Sequence, residues 1–183
     1  ASIKDIDACM EAMLLYIIGE SCLDDGDKNS ALEKFKAAVQ ILSKIGERFY
    51  EARILLNIGN IYELNLKNYS EAERYYLEAL AVFRELGKKG FEGVVLASLG
   101  RVFYYRHEDE KFFIFTNEAL SIFEQLNDMK RIAYCLTWKG RSCLNQRNYA
   151  KAQMLYDEAL EIYKQMEDQK GIVKSSLSVG ESY

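Results

Sequence analysis

Apolar positions in this chain fall at helical spacing, and a glycine sits among them. In "NIGNIYELNLKNYSEAERYYLEAL", Leu55, Ile58, Gly59 and Tyr62 share one helical face. Ala72, Tyr76 and Ala79 follow at i, i+4 and i+7 and mark a second helix. The same pair of patterns returns about every forty residues. Gly19, Gly59, Gly100, Gly140 and Gly180 fall into register, as do Ala38, Ala79, Ala119 and Ala159. Ala31, Ala72 and Ala152 repeat at a second small position, where Phe112 stands in the third repeat. A fixed period of this size predicts a solenoid of two-helix units.

A glycine inside a helix costs about 1 kcal/mol relative to alanine. The cost is tolerable where the missing Cβ lets a large side chain of a neighbouring helix approach. The pattern therefore predicts a small/large interlock, with Gly59 and Tyr62 set against Ala72 and Ala79. "SALE" (Ser30–Glu33) and "SEAE" (Ser70–Glu73) read as capping boxes opening second helices, after a turn at "DDGDKN". Gly46, Gly87 and Asn127 recur where a left-handed C-cap is wanted, with Glu167 as a weaker stop in the fourth repeat. The second repeat is expected to carry one extra residue in its inner turn, which lengthens the spacing from its glycine to its first alanine.

These residues resemble the tetratricopeptide repeat family. Its pattern is met by Leu55, Ile58, Gly59, Tyr62, Ala72, Tyr76 and Ala79. The resemblance implies an all-α, right-handed α-α superhelix of antiparallel helix pairs. Four full repeats are expected, at about 8–46, 47–87, 88–127 and 128–167, with a fifth first helix over 168–183, all in one solenoid. The period exceeds the usual one of the family and no proline is present, which looks like the long-repeat subclass of LGN/Pins adaptors. Similar long repeats occur in bacterial regulators of the MalT and Rap type. The third repeat departs most, with Phe112 for alanine and Thr116 for the aromatic residue. An apolar first helix and a chain ending at Tyr183, without a covering second helix, lead us to expect a piece of a longer array. An end that pairs with another copy or a partner helix is the alternative.

The resemblance turns first helices toward a concave groove and places its ligand contacts on them. The face runs from apolar Met13, Tyr16 and Ile17, through Arg53, Asn57 and Asn60, to Ser98, Arg101, Tyr105, Thr137, Trp138 and Arg141. The two asparagines are suited to a ligand's backbone, the arginines to carboxylates, and the aromatic rings to anchoring. A purely internal role is open for the same residues. Asn57 and Asn60 would then bridge repeats, Trp138 would pack between helices, and Arg101 and Arg141 would pair with Glu63 or Glu20. The carboxylate clamp of chaperone-binding relatives is absent, since Tyr16 and Glu20, or Leu56, Asn60 and Ser98, stand at its places. A second candidate surface is "HEDEKFFIF", His107–Phe115, whose four consecutive apolar residues exceed one buried face and leave Phe113 expected in solvent.

Composition narrows the function. Of 183 residues, 49% are hydrophobic and 28% charged, with a formal net charge of −4, which argues against general nucleic-acid binding. The longest apolar run, Ala12–Ile18, is far short of the ~20 residues a membrane span needs. Four cysteines without metal-ligand spacing read as reduced thiols of a cytoplasmic protein. His107 is the one histidine and stands beside Glu108, Asp109 and Glu110, a solvated turn. No phosphate loop, metal motif, cofactor motif or nucleophile order appears. The expectation is a non-enzymatic adaptor whose partner is a protein or peptide segment with acidic and apolar residues. A regulatory sensor module of a larger protein and self-association through uncovered ends are the alternatives.

Overall fold

In the computed structural model, residues 3–168, 170, 171 and 173 are described. They form α1 (Ile3–Asp24), α2 (Lys28–Ile45), α3 (Arg48–Asn60), α4 (Tyr69–Glu85), α5 (Lys89–Tyr105), α6 (Asp109–Gln125), α7 (Met129–Asn145) and α8 (Tyr149–Gln165). The fold is all-α, a solenoid of paired antiparallel helices, as expected. The chain divides into two compact units, Ala1–Val95 and Leu96–Tyr183. In the first, α1 packs on α2, α2 on α3, and α3 on α4. In the second, α6 packs on α7 and α7 on α8. The expected fifth first helix, with Gly180 and Tyr183, lies outside the described residues apart from Asp168, Lys170, Gly171 and Val173.

The interlock is present, with a different large residue. A Cβ on Gly59 would stand 2.5 Å from Tyr76 Cε1, so Tyr76 of the second helix, not Tyr62, fills the notch. Gly19 receives Phe35 and Gly140 receives Tyr156 in the same way. Tyr76, Phe35 and Tyr156 are fully buried, as are the alanines that flank them. In the third pair the sizes are exchanged. Thr116 meets Gly100, while Phe112 at the alanine position is fully buried and packs edge-on against Tyr104, ring centroids 5.9 Å apart. The volume lost at Thr116 is returned one turn earlier at Phe112.

Second helices begin before the expected capping boxes. Asp27 accepts from the Ser30 N–H at 3.1 Å and Asn68 from the Glu71 N–H at 3.2 Å, so these two residues are the N-caps. Asp128 and Asn148 cap α7 and α8 likewise. Short Asp and Asn side chains reach the N–H three residues on, which leaves Ser30 and Ser70 inside the helices. The helix stops fall where expected. Gly46, Gly87, Asn127 and Glu167 all take positive φ, between 51° and 77°. Asp168 N–H closes onto Tyr163 C=O at 3.0 Å, so even Glu167 supports a Schellman-type end.

The extra residue of the second repeat is absorbed inside its first helix. After Asn60 the chain widens into a π-helical turn over Ile61–Asn65, closed by Leu66 N–H to Ile61 C=O at 3.1 Å. This turn carries Glu63 to a site only 1% exposed, where the Tyr76 hydroxyl donates to its carboxylate at 2.6 Å.

Candidate partner-binding site

The first helices position the candidate residues, and each unit has its own group. In the first unit, α1 and α3 stand side by side over α2. Their first-helix face holds a pocket of about 130 Å³ lined by Ala12, Met13, Tyr16, Leu42, Tyr50, Arg53, Ile54 and Asn57. Ala12, Leu42 and Ile54 are buried and form its apolar floor. Asn57 Nδ2 donates to the Tyr16 hydroxyl at 3.2 Å, across the two helices. Asn60 Oδ1 lies 2.8 Å from the Tyr76 hydroxyl, whose one hydrogen it shares with Glu63. Both asparagines thus make internal bonds, and each keeps the other half of its amide without a hydrogen-bond partner among the described residues. Arg53 is exposed, with its guanidinium 5.9 Å from the Phe49 ring centre.

In the second unit, Trp138 on α7 is the centre of an aromatic cluster. Tyr104, Tyr105 and Tyr134 meet it edge-on at centroid distances of 5.2, 5.8 and 6.2 Å. Arg141 lies over the Trp138 ring at 5.3 Å. Arg101 donates to the Tyr134 hydroxyl and lies over that ring at 5.8 Å. Asn145 Nδ2 donates to the Tyr104 hydroxyl at 2.9 Å. The structure therefore brings Arg101, Tyr105, Trp138 and Arg141 together, with Tyr105 the most exposed at 38%.

Three residues expected on the groove face are turned inward. Ser98 and Thr137 are 4% and 3% exposed, and the Thr137 hydroxyl donates to Ala133 C=O at 2.8 Å. Trp138, 7% exposed, packs between helices and serves the cluster as its core. Arg101 and Arg141 each meet an aromatic ring, and Glu63 accepts from the Tyr76 hydroxyl in the first unit. Tyr50 belongs to the pocket and was not expected there. It stands three residues before Arg53 and seven before Asn57, so the helical stripe itself reaches it. At the second candidate surface, Phe113 packs against the buried cluster of Cys143, Ala152 and Tyr156, and Phe115 stacks on Phe103 at 5.2 Å. Ile114, at 56%, is the residue in solvent.

One more surface stands out in the first unit. Ile6, Met10, Met13, Leu14, Ile17 and Ile18 of α1 are all at least 45% exposed, beside a groove of about 690 Å³. Among the described residues no cluster of three metal-ligating side chains occurs, and no helix is long and apolar enough to cross a membrane.

Helix pairs with a glycine notch filled by the second helix define a protein of the helical-repeat class. Two family models described as "Tetratricopeptide repeat" match, one over residues 10–85 and 50–126 and the other over 133–166, and the chain belongs to that family. No curated protein matches it. Among solved structures it is similar to BtubC from P. vanneervenii, at 16% identity and a TM-score of 0.84, covering 97% of this chain and 74% of that one. It is similar to a Rap protein complexed with Competence and Sporulation Factor, at 18% identity and a TM-score of 0.77. It is also similar to a signal transduction ATPase with a tetratricopeptide repeat sensor from Pyrococcus horikoshii, at 25% identity and a TM-score of 0.71. It covers 92% and 84% of its own length in these two matches, but spans only 47% of the Rap chain and 24% of the ATPase.

Proposed function

We propose that the chain is a non-enzymatic binding module that holds an extended or helical segment of another protein on its first-helix faces. The observation that carries this is the state of Arg53 and Arg141. Each guanidinium lies over an aromatic ring, and neither has a carboxylate partner among the described residues. A ring fixes the plane of the guanidinium without using its donors, which leaves the fork for a carboxylate of a partner. Aromatic residues beside such cations, as at Tyr105, are what binding hot spots use. The partner segment accordingly carries acidic and apolar residues. The Rap relative is complexed with Competence and Sporulation Factor and the Pyrococcus relative has a tetratricopeptide repeat sensor, which supports a binding role for these repeats. The period of about forty residues supports a long-repeat adaptor of the LGN/Pins type, and we propose a cytoplasmic location for it.

The test is partner capture from a cell extract on the wild-type chain and on an Arg53→Glu/Arg141→Glu variant shown by circular dichroism to stay helical. Loss of a partner with the variant alone supports the reading. Retention of every partner sinks it.

A second reading is favoured by the exposed apolar face of α1, which suits self-association. Sedimentation across a range of protein concentrations decides it. A mass that rises with concentration and reverts in Leu14→Lys supports it; a constant mass removes it.

A further inference from the structure

The pocket between α1 and α3 has the size and rim of a specificity pocket. Its volume of about 130 Å³ is somewhat below the ~150 Å³ of an engineered apolar cavity that accepts benzene. That size takes one apolar side chain of leucine or methionine size and is small for the double ring of tryptophan. The floor of Ala12, Leu42 and Ile54 offers no polar atom of a side chain to a water molecule. Water there is poorly bonded, so an apolar group that displaces it gains affinity. Met13 borders the pocket and is flexible enough to close over different aliphatic shapes.

The rim is polar and asymmetric. Arg53 supplies an exposed cation with no carboxylate partner among the described residues. Asn57 is held by Tyr16 through its amino group, so its carbonyl is oriented as a backbone N–H acceptor. Tyr50 completes the wall on the side of the α3 N-terminus. One cation, one acceptor and one aliphatic socket converge within a single helical turn of α3.

We infer that this pocket binds a segment of another protein through a leucine- or methionine-sized side chain followed directly by an aspartate or glutamate. The aliphatic side chain fills the socket, its backbone N–H donates to Asn57, and the acidic residue pairs with Arg53. The inference rests on the reading of first-helix faces as the binding surface and gives its first unit a sequence preference.

The experiment uses the full chain with ¹³C-methyl methionine, the Met13 resonance being assigned through Met13→Leu. The probes are acetyl-Gly-Leu-Glu-Gly-amide, its Leu-Lys counterpart and its Trp-Glu counterpart. The Leu-Glu peptide is expected to shift Met13 saturably, with the Leu-Lys peptide about fivefold weaker, as one exposed ion pair allows. In Arg53→Gln, an exposed change that leaves the fold intact, the two Leu peptides should bind equally. Three results overturn the inference: no shift of Met13, equal binding of Leu-Glu and Leu-Lys to the wild type, or preference for the Trp peptide. A Leu-Glu peptide that moves the Trp138 indole resonance instead of Met13 overturns this pocket while leaving the wider binding reading standing.

Discussion

Tyr76 lies on Gly59 so closely that no side chain fits between them, and its hydroxyl reaches both Asn60 and the buried Glu63. One residue thus fills the notch and donates to a buried carboxylate. Gly59→Ala gains about 1 kcal/mol of helix propensity, yet pushes on a fully buried ring at a cost of about 1–3 kcal/mol. Net destabilisation is expected, measured as a lowered urea midpoint. Tyr76→Phe keeps the ring and removes the donor, and should cost about 1–3 kcal/mol because Glu63 loses that bond. A Tyr76→Phe chain as stable as wild type would show that the carboxylate is satisfied elsewhere.

The exchange of sizes at Phe112 and Thr116 predicts a non-additive pair. Phe112→Ala empties a fully buried site and should cost about 3–5 kcal/mol. Thr116→Tyr alone overfills the space beside Gly100 and should cost about 1–3 kcal/mol. The double variant restores the small/large order of the other repeats and should be less destabilised than the sum. Additive losses in a double-mutant cycle would mean that the two residues fill separate spaces.

The fold was legible because a notch and its filler recur at a fixed period, which marks a stack of two-helix units. Gly19, Gly59 and Gly140 stand in register and each demands a large neighbour. What a period cannot give is the rotation of an individual residue. Ser98 and Thr137 sit at positions that a family pattern assigns to the groove, but both are buried. The π-helical turn was visible only as one surplus residue, which was expected in the inner turn and is instead taken up within the helix that precedes it. The pocket depends on Leu42 of α2 and Ala12 of α1 beneath α3, a meeting of three helices that spacing along one helix does not record.

Trp138 and Tyr105 touch, yet should report different things. Trp138 is almost wholly buried, so Trp138→Ala is expected to cost about 3–5 kcal/mol. Tyr105 is partly in solvent, so Tyr105→Ala should cost about 1 kcal/mol, the worth of its ring contacts. If the cluster is a binding surface, Tyr105→Ala weakens a captured partner about tenfold. Paired thermal melts and binding titrations separate the two effects.

The thiols should divide into two classes. Burial pushes Cys135 up to about 12 and raises Cys143 as well, while Cys9 and Cys22 on α1 are only half-buried. The thiolate is the reactive form, so two cysteines should label readily with iodoacetamide at pH 8 and two only after unfolding. Mass spectrometry of the labelled sites checks it; early modification of Cys135 would contradict its burial.

Glu92 sets a pH dependence whose sign follows from its partners. Burial alone would raise its carboxyl, but hydrogen bonds from Lys89 at 2.8 Å and Arg84 at 3.0 Å outweigh it and hold the group below the usual range. A carboxyl lowered on folding stabilises above its unfolded value of about 4.3 and loses that contribution as pH falls through the folded value. Glu92→Gln should therefore cost about 1–3 kcal/mol at pH 7, where charged hydrogen bonds are lost. The deficit should hold down to about pH 5 and shrink below about pH 4.3, as the wild-type carboxylate takes up its proton. Asp27, Glu71, Glu108 and Asp168 are also lowered by hydrogen bonds, but they titrate in both chains and cancel in the difference. Urea unfolding of the two chains between pH 3 and pH 8 gives that difference directly. A gap that stays constant across the range would assign the loss to packing rather than to the charge of Glu92.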